Sequence, residues 1–103
     1  MIIMHSKNKI PFRLTAKRWY HIIEQHPEIL EQREKVIETI TDPDLILEGD
    51  CGELIALKFY SHTPLTQKYL SVVYKELSPA DGFILTAYFT NQSSNRMKVL
   101  WKR

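Results

Sequence analysis

One cysteine, Cys51, is present in 103 residues. An intramolecular disulfide is therefore excluded, and so is a cysteine-based zinc knuckle. Cys51 sits in Gly49-Asp50-Cys51-Gly52, a turn without the electropositive setting that makes a thiol reactive. No apolar run approaches the roughly twenty residues of a membrane span. The start, Met1 to Lys7, lacks the apolar core of a signal peptide, so a cytoplasmic, membrane-free protein is expected. Repeats, low-complexity runs, nucleotide-binding signatures, nucleophile motifs and paired acids are all missing. One domain over residues 1–103 is the expectation from length.

Charge is unevenly placed within a net +2. Residues 1–27 carry five Lys/Arg against Glu24, or +4. Residues 28–53 carry nine Asp/Glu against Arg33 and Lys35, or −7, and residues 54–103 carry seven Lys/Arg against Glu76 and Asp81, or +5. If the two basic ends meet, the protein has a side that attracts phosphates.

The spacing predicts a helix over Ala16 to Gln25, capped by Thr15. Pro27 pushes His26 out of helical geometry and opens a second helix. Its apolar stripe is Ile29, Leu30, Val36, Ile37 and Ile40, and Thr41-Asp42-Pro43-Asp44 ends it. Ile10 to Leu14 reads as a short strand or lead-in. Period-two segments follow at 45–48, 53–60, 67–77 and 83–90, with a further short strand at 97–101. The expected architecture is α+β: two N-terminal helices packed on one face of an antiparallel meander sheet of about four strands.

Alternation assigns the faces. Ile55, Leu57, Phe59, Leu70, Val72, Tyr74, Phe83, Leu85, Ala87 and Phe89 are the expected helix-facing side. An unpaired buried lysine costs several kcal/mol, which puts Lys58 on the other face. That face then carries Lys58, Tyr60, Tyr69, Ser71, Lys75, Thr86, Tyr88 and Thr90, the cationic and hydroxyl donors that suit a phosphate. Plain solvated sheet surfaces carry the same residue types.

His21 and His26 lie five positions apart, about 140° around a helix, so they cannot chelate one metal. No metal and no cofactor is expected. His26 falls on the apolar stripe with Trp19, Ile22 and Ile23, while His21 falls on the polar side near Lys17 and Gln25. Either imidazole can act as general acid or base, and either can be purely structural.

Several short runs together resemble a known group. They are Trp19-x-His21-Ile22-x-x-x-His26-Pro27-Glu28, Asp42-Pro43-Asp44, Tyr69-Leu70-x-Val72-Val73-Tyr74 and Phe83-Ile84-x-Thr86-Ala87-Tyr88-Phe89-Thr90. They are similar to the small phage- and bacteria-encoded domains of the barnase–EndoU–colicin–RelE group of metal-independent ribonucleases. The resemblance implies RNA cleavage by attack of a 2′-hydroxyl on the adjacent phosphate. It assigns His21 and His26 to acid and base, Lys58 to the phosphate, and Thr86 and Tyr88 to hydroxyl donation, with Tyr60, Ser71 and Lys75 contacting RNA. It also implies an antitoxin or immunity protein as partner. A helix packed behind a sheet cannot easily reach its other face, so the alternatives are a structural histidine or a site at the sheet edge. A non-catalytic protein- or RNA-binding module of the same fold is the competing expectation.

Overall fold

A computed structural model describes residues 2–66, 68–91 and 97–103, with side chains from Met4 onward. The start of the third period-two segment at Gln67 and the expected loop at 92–95 fall outside these residues. In chain order the elements are β1 (Ile2–His5), β2 (Pro11–Leu14), α1 (Ala16–Gln25), a 3-10 turn (Pro27–Ile29), α2 (Arg33–Thr41), β3 (Leu45–Glu48), β4 (Leu54–Phe59), β5 (Tyr69–Ser78), β6 (Asp81–Thr90) and β7 (Lys98–Lys102).

The strands form one seven-stranded sheet in the order β1-β2-β6-β5-β4-β3-β7. It is mixed, because β2 runs parallel to β6 while all other neighbours are antiparallel. This corrects the expected two helices on a four-stranded antiparallel meander. β3 to β6 pair in chain order, but the sheet continues past both ends of that run. The first hairpin docks beside β6, and β7 returns to pair with β3. The sheet also coils. Lys7 Nζ, in the first hairpin's turn, lies 4.8 Å from the ring centre of Trp101 on the opposite edge strand. Ser6 Oγ donates to Glu76 Oε2 at 2.7 Å, tying that turn to β5.

Local signals account for α1. Thr15 is extended, and its Oγ1 accepts from the Arg18 amide at 3.2 Å. His26 leaves helical geometry before Pro27 (φ −134°, ψ 76°). The expected continuous second helix is instead broken. Leu30 N bonds Pro27 O and Gln32 N bonds Ile29 O, three-residue spacings that delay α2 until Arg33. Leu30 drops off the apolar stripe and stands exposed, while Ile29, Val36 and Ile40 are buried.

Between helices and sheet lies the main core, which includes Phe12, Trp19, Ile22, Val36, Ile40, Leu70, Val72, Tyr74, Ile84, Ala87 and Phe89. Two face assignments need correction. On β4 it is Leu54, Ala56 and Lys58 that turn to the helices, whereas Ile55 and Leu57 join Leu47 on the far face, with Leu45, Tyr69, Val73 and Met97 packed around them. Both faces of β4 are apolar, so period two could not separate them. On β6 an irregularity places Ile84 opposite Tyr74 and Thr86 opposite Val73, leaving Leu85 as the extra residue. Such a bulge reverses the alternation. Ile84 therefore faces the helices, and Phe83, paired with Lys75, does not.

Two tyrosines carry a pH signature. Burial pushes the hydroxyls of Tyr60 and Tyr74 well above the ordinary tyrosine value of 10.0. The Glu38 carboxylate, which accepts from Tyr60 at 2.6 Å, reinforces the first, and the charge of Glu76 reinforces the second. With folded values raised, their contribution to stability is present below about pH 10 and lost as pH rises, because the unfolded chain ionises first. In an ultraviolet titration, Tyr60 and Tyr74 are expected to ionise only with unfolding, and Tyr74→Phe should flatten the alkaline loss. At neutral pH the same substitution should stabilise by about 1 kcal/mol, since the buried Tyr74 hydroxyl has no partner. A titration in which all five tyrosines ionise with the fold intact would contradict this.

Candidate functional site at the edge of β6

β2 pairs with β6 only through Phe12–Gly82 and Arg13–Phe83. The chain then turns away at Thr15 into α1. From Ile84 to Thr90, β6 has no strand on that side. α1 and the 3-10 turn run along this free edge and contact it. The helix phase places Arg18, His21 and Gln25 toward the edge, and Trp19 and Ile23 away from it.

At the N-terminal end of α1, Thr15, Lys17, Arg18 and His21 line one hollow. Thr15 and Arg18 also line an adjoining one with Arg13, Phe83 and Ile84. Arg13 is paired with Asp81 at 2.9 Å. The side chains of Lys17, Arg18 and His21 have no partner among the described residues, and His21 is exposed. First-turn amides not bonded within the helix add a positive end to the same place.

Farther along the edge, His26 closes α1. Its ring lies over Tyr88 with centres 5.6 Å apart and planes at 33°. His26 Nδ1 is 3.6 Å from Glu28 Oε1, and the His26 side chain is 32% exposed. Ring-to-ring packing and the kinked backbone hold this histidine, while a face remains open to solvent.

The structure brings together only part of the residue set expected from sequence. His21, His26 and Tyr88 border the β6 edge. Lys58 does not: its ammonium donates to Asp42 O at 2.8 Å and lies 3.3 Å from Asp42 Oδ2, beside the C-terminal end of α2. The expectation that Lys58 lies on the face away from the helices is overturned. That expectation rested on a lysine without a partner, and the end of α2 supplies one. Tyr60 also turns to α2, where its hydroxyl bonds Glu38. Ser71 and Thr86 do lie on the far face, but Ser71 Oγ and Thr86 Oγ1 are buried without partners, out of reach of a phosphate. Lys75 is half-buried on that face.

The two basic ends do not simply merge. Arg103 pairs with Asp42, and its Nε lies 3.1 Å from Asp44 Oδ1. Lys58 meets the same Asp42 and holds its carboxyl below the ordinary carboxylate range, with Arg103 contributing. The acidic middle thus neutralises basic groups of the C-terminal half and leaves Lys17 and Arg18 unpaired. Sequence reading noted Lys17 only as a neighbour of His21 and did not single out Arg18. Their adjacency to Thr15 and their one-turn spacing from His21 were the available signal.

Among the described residues, no three His, Cys, Asp or Glu side chains gather as a metal-ligand set, and no helix is long and apolar enough to cross a membrane. Compared with family models, curated proteins and solved structures, the chain has no significant match.

Proposed function

We propose that the protein binds single-stranded RNA along the groove between α1 and the free edge of β6. The observation that carries this reading is the row of unpartnered Lys17, Arg18 and His21 at one end of that edge, with the His26–Tyr88 ring pair toward the other. Cationic side chains and helix amides meet phosphate oxygens. Exposed rings meet unstacked bases, which a duplex does not offer. The resemblance to the ribonuclease group points to RNA as the polymer, and the groove offers both kinds of contact at once.

Binding of a labelled single-stranded oligoribonucleotide, followed by anisotropy across a salt series with EDTA present, tests the reading. Lys17→Glu with Arg18→Glu is expected to weaken binding and to reduce the salt slope by about two, one per lost phosphate contact. His26→Ala should weaken binding by the roughly 1–3 kcal/mol of one stacked base, with the slope nearly unchanged. Absence of binding at low salt would remove the proposal.

Cleavage is the second reading, favoured by Glu28 beside His26. A carboxylate next to an imidazole can orient it as a general base, with His21 or Tyr88 left to supply protons. EDTA-resistant cleavage, lost in His26→Ala while that variant stays folded, would establish it. Intact RNA after prolonged incubation with the wild type would leave binding alone.

A further inference from the structure

The opposite flank of α1 has different chemistry. A cleft of about 540 Å³ lies there, between the helix and residues 30–35. Its floor is Trp19 and Ile23, and its lips are Tyr20 and Leu30, which are 66% and 57% exposed. Two large apolar side chains standing open around an apolar floor are a docking feature more than a solvated surface. Leu30 is exposed because the 3-10 turn takes it off the α2 stripe, so no helix or strand of this chain covers it.

Charge identifies the occupant. Four charged residues line the cleft. Both cations are engaged inside the molecule: the Arg33 guanidinium lies 6.0 Å from the Trp19 ring centre, and Lys35 Nζ donates to His62 O at 3.2 Å and sits 5.2 Å from the Tyr60 ring. Both acids, Glu31 and Glu34, are exposed and have no partner among the described residues. Glu24, one turn beyond Tyr20 on α1, is likewise exposed and unpaired. An apolar trough with free carboxylates on its rim matches a helix that is apolar on one face and basic on the other.

We infer that this cleft docks a basic amphipathic helix of a partner protein, its apolar residues set between Tyr20 and Leu30 and its lysines or arginines against Glu24, Glu31 and Glu34. The surface is distinct from the proposed RNA groove, because Trp19 and Ile23 point away from the flank that carries Arg18 and His21. α1 would then separate a phosphate-binding side from a protein-binding side.

Three fluorescein-labelled peptides test the inference by anisotropy: a lysine-rich amphipathic helix with leucine and tryptophan on one face, its glutamate-for-lysine counterpart, and a scrambled lysine peptide without an apolar face. The amphipathic lysine peptide is expected to bind at least tenfold more tightly than either other. Leu30→Asp and Tyr20→Ala should each weaken it at least tenfold, with melting temperature and RNA affinity unchanged because both side chains are exposed. Glu31→Lys combined with Glu34→Lys should shift preference toward the glutamate peptide. Equal binding of the scrambled peptide, or binding indifferent to Leu30→Asp, would overturn the inference. Displacement of the peptide by RNA would do so too, placing it in the other groove. Sedimentation showing a dimer that Leu30→Asp dissociates would assign the cleft to a second copy of this chain instead.

Discussion

Phe12→Ala is expected to lower folding stability by about 3–5 kcal/mol, the usual cost of truncating a core phenylalanine. Phe12 is fully buried and meets Tyr74 edge-on, with ring centres 5.2 Å apart and planes at 72°. Its ring also sits against Gly82, where an added Cβ would come within 2.6 Å of Phe12 Cζ. The parallel pairing of β2 with β6 covers only two residue pairs. Few ladder bonds therefore hold the first hairpin in place, and the Phe12 ring supplies much of its attachment.

Gly82→Ala should cost about 1–3 kcal/mol by overpacking. Combined with Phe12→Leu, whose smaller side chain makes room, the loss should fall short of the sum, as expected for residues in contact. Urea unfolding of the two single variants and the double variant measures the coupling. Strict additivity would show that the Gly82–Phe12 contact does not carry this role.

Lys58→Met is the second large effect. The Lys58 side chain is only 15% exposed, and its ammonium bonds the carbonyl of Asp42, the C-terminal capping residue of α2. A charged donor satisfying a helix-end carbonyl contributes roughly 1.5–3 kcal/mol, with helix-dipole attraction included in that range. Methionine keeps the stem and removes the charge, so the loss should lie toward the lower figure. RNA affinity and its salt slope should stay at the wild-type values. A loss of salt slope with unchanged stability would return Lys58 to the phosphate-binding groups. Acid unfolding provides a further readout. Asp42 has a lowered pKa in the folded state, so its contribution is present above the ordinary carboxylate value and is lost as pH falls. Lys58→Met should make that acid limb shallower.

Legibility in the sequence followed the range of the interaction. Thr15, His26 and Pro27 mark the ends of α1 through bonds and steric limits within four residues, and the helix runs over the expected Ala16–Gln25. The strands of the central run were legible within one or two residues through alternation and turns. β1 was not, because a four-residue segment at an edge is stabilised by β2 and by Glu76 through Ser6. The candidate groove was legible only in part. His21 and His26 stood out as residue types, but only packing shows His26 on Tyr88 and leaves Lys17 and Arg18 without acids nearby.

By itself, then, the sequence determined what short-range chemistry can encode: helix caps, the proline break, strand segments and the basic–acidic–basic order of charge. Tertiary structure decided the seven-stranded mixed sheet, which face of β4 meets the helices, the reversal at the β6 bulge and the partner of Lys58. Each of those depends on groups far apart in the chain. A strand apolar on both sides, such as β4, fits either way round until α2 brings Asp42 to Lys58. A lysine that looks costly to bury becomes an anchor once that carbonyl and carboxylate are in place.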